Sequence, residues 1–237
     1  MKKFLEKRLE KASADYYSGN PSMSDDEFDA LARAINFKQV GTREGRVPHA
    51  YPMYSLQKIF EGEECPFASD DVIVTPKLDG SAISILYLEG ELERVLTRGD
   101  GKCGIDITDK FKKSRLIPQT IVIGHEITQV TGEIVAPKSV PNSRNYAAGS
   151  LNLKDIDEFL TRDLCFVAYG VEPQFSLTFH KDMEVLSDTL GFNTVLQSDW
   201  AQFPHDGTVW RLNENENFRR LGYTSHHPRG AEPPRES

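Results

Sequence analysis

The residues best placed by type and spacing to do chemistry lie in Thr75-Pro76-Lys77-Leu78-Asp79-Gly80, where a lone lysine stands two residues before a carboxylate at the end of an apolar run. A lysine amine attacks phosphorus or carbonyl carbon only when deprotonated, and partial burial beside other cations favours that state. Gly80 leaves the backbone open to a ligand. The same pattern, Lys-x-Asp-Gly, also describes a surface lysine entering a turn, so alone it is weak. Glu133 is one carboxylate among the apolar residues of 129–135, and a strand glutamate usually points to solvent. Arg98 sits in a glycine-rich corner, Thr97-Arg98-Gly99-Asp100-Gly101. The pair His226-His227 suggests a metal, but adjacent residues on an extended segment point to opposite sides, so the structural reading is preferred.

Strands must position that lysine. Residues 71–75 read as a buried strand and 81–88 as the next, which places Lys77 between two sheet elements. Residues 87–92 are a hairpin signal whose second strand delivers Arg98, and 104–108 lead towards a helix. Residues 129–135 and 164–170 read as strands, 142–151 as a loop, and 179–190 as an amphipathic scaffolding helix stopped by Gly191. At the start of the chain, Phe4, Leu5, Leu9 and Ala12 recur at helical spacing up to about Tyr17, and Gly19-Asn20-Pro21 breaks the helix. Ser24-Asp25-Asp26-Glu27 is a capping box that starts a second helix with Phe28, Leu31 and Ile35 on one face. Two short helices make no large core, so their physics alone gives a hairpin packed on the main domain. Residues 39–49, rich in Gly, Arg and Pro without a period, are the expected linker.

At 237 residues the chain can bury a full core, and one large domain with a small appendage is the length expectation. The apolar runs are short and strand-like, and Met1-Lys2-Lys3-Phe4 leads into charged residues, so neither a membrane span nor a signal peptide is expected and a cytoplasmic location is. Cys65, Cys103 and Cys165 are odd in number, far apart and without a Cys-x-x-Cys spacing, which suggests reduced structural residues. A net charge of −8 opposes an unaided grip on DNA, because phosphate neutralisation by Lys and Arg supplies most non-specific affinity.

A series of stretches, in order and over nearly the whole chain, resembles the NAD-dependent DNA ligases of bacteria: Tyr16-Tyr17, Pro21 to Asp29, Pro52-Met53-Tyr54-Ser55-Leu56, Lys77-Leu78-Asp79-Gly80, Thr97 to Gly101, Gly132-Glu133, Ser143 to Leu151, Tyr169-Gly170 and Asp206-Gly207. The resemblance implies that the N-terminal helices capture the nicotinamide mononucleotide half of NAD through Tyr16, Tyr17, Asp25, Phe28 and Asp29. Rings stack on the cationic nicotinamide and carboxylates accept from ribose hydroxyls. The tyrosine pair lies one residue closer to the proline than in the family pattern, and Phe28 replaces a tyrosine. Ser55 and Leu56 match the segment lining the adenine pocket, and Tyr169 the aromatic that stacks on adenine. Lys77 matches the nucleophile, with Asp79 beside it. Arg98 and Arg144 match arginines that approach the nucleotide, where a planar guanidinium forks two phosphate oxygens. Glu133 matches a glutamate that faces the nucleotide and holds magnesium's water shell. Asp206-Gly207-Thr208-Val209-Trp210-Arg211 resembles Asp-Gly-Val-Val-Ile-Lys, so Asp206 would serve magnesium and Arg211 would replace a catalytic lysine at the α-phosphate. Asn152 stands where the family has a further arginine. Residues 221–229 resemble the approach to a last strand bearing a phosphate-binding lysine, but the two prolines and two glutamates of 230–237 cannot make that buried strand.

The expectation is an α/β (α+β) nucleotidyltransferase fold of antiparallel sheets flanked by helices. Residues 1–38 form a helical subdomain that binds nicotinamide mononucleotide, 39–229 the adenylation domain and 230–237 an irregular tail. The resemblance implies a DNA ligase adenylation module with NAD and Mg2+ as cofactors, forming lysine-AMP and releasing nicotinamide mononucleotide. Its nicked duplex DNA would be held with help from further domains or a second polypeptide. The alternatives are a non-catalytic NAD-binding or partner-binding module, motivated by the missing last lysine, and an ATP-dependent nucleic-acid ligase or capping-type enzyme, disfavoured by the N-terminal helices.

Overall fold

The structure is a computed structural model of the chain that describes residues 2–17, 22–35, 46–54, 67, 71–197 and 200–221. Helices α1 (Lys2–Tyr17) and α2 (Asp25–Ile35) open it. The capping box forms as expected: Ser24 Oγ accepts from the Glu27 backbone N–H at 3.3 Å, and the Glu27 carboxylate accepts from the Ser24 N–H at 3.0 Å. The apolar stripe of this pair, with Leu5, Ala30, Leu31, Ala34 and Ile35, buries against Ala50, Leu86, Leu88 and Ile127. The hairpin therefore shares a core with the main sheet.

That sheet has four antiparallel strands in the order β4 (Glu91–Thr97), β3 (Ser81–Leu88), β6 (Ile127–Val135), β7 (Cys165–Glu172). Alternation along β3 sends Ile83, Ile85 and Tyr87 into the main core, while Leu86 and Leu88 meet the N-terminal helices on the other face. Helices α3 (Thr108–Lys113), α4 (Ser143–Leu151), α5 (Ile156–Leu160) and α6 (Phe179–Glu184) supply Phe111, Ala147, Phe159 and Phe179 to that main core. Strands β2 (Val72–Leu78) and β8 (His205–Leu212) form a separate two-stranded antiparallel sheet, and α7 (Asn215–Leu221) follows it.

Several expected elements differ. The linker ends earlier, because β1 (Arg46–Pro48) pairs with β5 (Cys103–Ile105) around the buried Val47. Of the expected loop 142–151, Ser143–Leu151 is a helix, since Ala147, Ser150 and Leu151 bury one stripe at i, i+3 and i+4. The strand through Tyr169 continues to Glu172. The helix from Phe179 passes into a π-helical turn, Val185–Thr189, before Gly191. Among the described residues no helix is long and apolar enough to cross a membrane, and Cys103 and Cys165 are free thiols. Cys65, His226, His227 and the tail of 230–237 lie outside the described residues.

Leu31 is 2% exposed at the junction of α2 and the sheet. Leu31→Ala is expected to lower the unfolding free energy by ~2–5 kcal/mol. Urea unfolding followed by far-ultraviolet circular dichroism and by tryptophan fluorescence checks this, with both signals moving together.

Candidate active site

Lys77 lies inside β2 rather than beyond its end. Pro76 has no N–H to give to a ladder, and the register against β8 shifts there: Pro76 pairs with Thr208 and Leu78 with His205, so Asp206 and Gly207 face Lys77 alone. Such a bulge re-aims a side chain. It brings Lys77 Nζ to 3.3 Å from Asp206 Oδ1. The strand is not the buried one expected, because half of Val74 is exposed in a two-stranded sheet.

Directly after β2, Asp79 Oδ1 forms an ion pair with Arg144 Nε at 3.1 Å, and Arg144 stands in the first turn of α4. A Cβ at position 80 would lie 2.1 Å from the Ile134 carbonyl oxygen, so only glycine lets β2 turn this tightly over β6. The Gly80 backbone in turn hydrogen-bonds the Glu133 carboxylate on β6. Burial pushes the Glu133 carboxyl up to about 7, against the pull of Lys77, the Gly80 hydrogen bond and Arg98. Arg98 leaves the end of β4, with its backbone N–H donating to the Ala82 carbonyl at 3.0 Å. Tyr169 on β7 completes the wall, its phenol pushed up by burial. These residues, with Tyr54, Thr75 and Val209, enclose a cavity of about 330 Å3.

A second cavity of about 530 Å3 adjoins the first at Tyr54 and Tyr169. Arg211 lines this cavity and not the one around Lys77. The reason is register: Arg211 pairs with Ile73, four residues before Lys77 and thus ~13 Å along the strand. Its guanidinium lies 3.6 Å over the Phe218 ring and 4.5 Å over Phe179, and donates to Asn215 Oδ1 at 3.0 Å. Opposite stands Glu172, pushed up to about 7 by burial and pulled down by Arg211 and Arg219. The wall towards the N-terminal helices is Ser24, Asp26, Glu27 and Arg33. Of the residues expected there, Phe28 is half-buried on α2 and Asp29 is exposed, 3.8 Å from Arg33, and neither lines the cavity. Tyr16 and Tyr17 fall in the last turn of α1 and Asp25 opens α2, but their side chains lie outside what is described, as do residues Ser55 and Leu56 altogether.

Sequence reasoning passed over Tyr54 and Glu172. Tyr54 stood inside a stretch already singled out, and Glu172, like Glu133, is the one carboxylate in a mostly apolar strand.

A family model described as the NAD-dependent DNA ligase adenylation domain matches residues 43–201, two-thirds of the chain. The chain belongs to this family. The chain is similar to the DNA ligase of Aquifex aeolicus (strain VF5), 27% identical over 91% of this chain and 40% of that protein. It is also similar to the DNA ligase of Acinetobacter baumannii (strain SDF), 30% identical over 92% and 43%. The chain thus spans about 40% of the length of these curated relatives. The family resemblance implies magnesium. Mg2+ takes oxygen ligands, retains several waters and usually needs one or two carboxylates plus substrate phosphates. Among the described residues no group of three or more His, Cys, Asp or Glu gathers as a protein cage. Glu133 and Asp206 nevertheless flank the Lys77 amine from two different sheets, one within its electrostatic reach and the other hydrogen-bonded to it. That donor set fits a metal completed by substrate oxygens.

Glu133 also generates a pH prediction. Its folded pKa lies above the ordinary glutamate range, so between that range and about 7 the folded chain binds more protons than the unfolded one, and its contribution to stability falls as pH rises through the window. Glu133→Gln removes this loss. Thermal unfolding is expected to show the variant gaining on the wild type between pH 5 and pH 8.

Proposed function

We propose that this ligase adenylation domain carries out self-adenylation from NAD. Lys77 Nζ attacks the adenylyl phosphorus: a phosphorus–nitrogen bond forms, the bond from that phosphorus to the bridging oxygen breaks, and nicotinamide mononucleotide leaves with the oxygen. The amine proton passes to Asp206, the carboxylate already in contact with it. The observation that carries this reading is that Lys77, in contact with Asp206, lines a cavity with Glu133, Arg98, Arg144 and Tyr169. Tyr169 offers a face for adenine, and Arg98 and Arg144 offer guanidinium donors to the phosphates. Asp79 keeps Arg144 at the rim. Glu133 and Asp206 would hold magnesium, which when bound neutralises phosphate charge.

A dinucleotide needs two adjoining compartments. The second cavity runs from Tyr54 and Tyr169 to α2, which supports placing the nicotinamide mononucleotide half on that side. Arg211 would meet the ligand's charge there, and Tyr16, Tyr17, Asp25, Phe28 and Asp29 of the helical pair would select this leaving group. Ser55 and Leu56 would border the adenine. Nick joining belongs to the same reading, with duplex DNA held by further domains or a second polypeptide. A net charge of −8 opposes an unaided grip on duplex DNA, because phosphate neutralisation by Lys and Arg supplies most of the non-specific affinity.

Incubation with NAD and Mg2+ is expected to add one AMP to the protein, read by intact-mass spectrometry, and Lys77→Ala to abolish the adduct. Asp206→Asn should slow the step by about 10²-fold, the low end for losing a positioned proton acceptor. An adduct mapped to another lysine would overturn the nucleophile, and an unmodified chain that still binds NAD would point to a binding module. Asp25→Ala should weaken NAD use by ~1.5–3 kcal/mol, the size of a lost hydrogen bond to a charged group. Equal adenylation from ATP and NAD by the wild type would count against selection by the helical pair.

A further inference from the structure

His49 stands where three parts of the cleft meet. Its backbone N–H donates to the Lys102 carbonyl at 2.9 Å, its Nδ1 lies 2.8 Å from Ser84 Oγ on β3, and its Nε2 lies 3.0 Å from the Arg98 carbonyl oxygen. Both His49 and Ser84 are buried. A carbonyl only accepts, so Nε2 carries the proton. Nδ1 of the neutral ring then accepts from the Ser84 hydroxyl. The surroundings thus select one tautomer, and burial holds the imidazole pKa down, in favour of the neutral form.

The carbonyl that His49 holds belongs to a tightly built corner. The Gly101 N–H donates to the same Arg98 oxygen at 3.0 Å, closing a turn in which Gly99 has a φ of 58°. A Cβ on Gly99 would lie 2.0 Å from the Cys103 carbonyl oxygen. On its other side, the Arg98 N–H is fixed to Ala82 of β3. The peptide groups flanking the Arg98 Cα are therefore both tied down, one by β3 and the other by the turn and His49, and this sets the direction in which the Arg98 side chain leaves. That side chain lines the Lys77 cavity and acts on Glu133. The segment carrying His49 continues over the corner, with the Met53 N–H donating to the Gly101 carbonyl at 2.8 Å, and reaches the cavity at Tyr54.

We propose that His49 is a positioning residue for adenylation, whose neutral Nε2–H holds the Arg98 carbonyl so that the guanidinium meets the nucleotide phosphates beside Lys77. The proposal rests on the reading of the Lys77 cavity as the nucleotide site. Two substitutions in the full chain separate positioning from mere packing. In His49→Gln the side-chain amide reaches the place of Nε2 and keeps a donor to Arg98, while in His49→Asn it reaches only the place of Nδ1. Single-turnover formation of lysine-AMP is measured against NAD concentration for both, with and without Arg98→Ala. His49→Asn is expected to slow the step about tenfold or more, since a misplacement near 1 Å can cost that much. His49→Gln should restore most of the rate, and His49→Asn should cost nothing further once Arg98 is alanine. Equal, near-wild-type rates for the two variants overturn the proposal, as does a His49→Asn loss that persists in full beside Arg98→Ala. Nitrogen NMR of the wild-type imidazole gives an independent reading, and an Nδ1–H tautomer or a charged ring at neutral pH overturns it. Should the wild type form no adduct, the reading of Lys77 falls, and NAD titration of the same proteins decides on His49: non-additive losses with Arg98→Ala support the coupling and additive ones overturn it.

Discussion

The site depends first on the contact between Lys77 Nζ and Asp206 Oδ1, made across the bulge between β2 and β8. The Asp206 carboxylate orients the Lys77 amine in a partly closed cavity, yet Asp79 and Glu133 are also present, and like charges raise one another's cost. The arrangement offsets this by distributing cations: Lys77 faces Asp206, Arg144 faces Asp79, and Lys77 and Arg98 both act on Glu133. At Glu133 burial outweighs the pull of these cations, and its high pKa is the result. A carboxylate in that condition gains most from a bound cation.

The main sheet makes this possible by using its two faces differently. One face is mostly apolar, with Ile83, Ile85, Val95, Val130 and Ile134, and packs on the helices that follow. The other carries Leu86 and Leu88 at one end, covered by the N-terminal helices, and Ala82 and Glu133 at the other, at the cleft. Between these ends lies the strap of residues 46–54. Gln129 accepts from the Tyr51 N–H at 3.0 Å and donates to the Tyr51 carbonyl at 2.8 Å, so one side chain takes the place of a neighbouring strand. The helical pair and the lysine are consequently joined through a short, hydrogen-bonded route.

The second cavity gives Arg211 a different setting from the one its motif implies. Its guanidinium is held by two aromatic rings and Asn215, and Asn215 is itself tied to the buried Asp182 at 2.6 Å. Asp182 also accepts from the backbone N–H groups of Phe175 and Ser176. A helix that read as scaffolding therefore fixes the loop, the arginine and the wall of a cavity at once.

The sequence by itself determined the helical pair and its cap, the hairpin, the strands of the main sheet and the identity of the residues around Lys77, because each of these rests on local periodicity, turn chemistry or a short motif. Family membership was legible for the same reason. Only the tertiary structure decided which of those residues meet. Lys77 and Asp206, Asp79 and Arg144, and His49 and Arg98 come together through strand register, a proline-associated bulge and the close approach at Gly80, none of which has a local signature. The helix at Ser143–Leu151 escaped notice because its pattern reads as a loop until the core supplies a partner for Ala147 and Leu151. Arg211 was assigned to the phosphate by its motif and placed elsewhere by its register, since a one-dimensional spacing does not say how far along a neighbouring strand a side chain will fall.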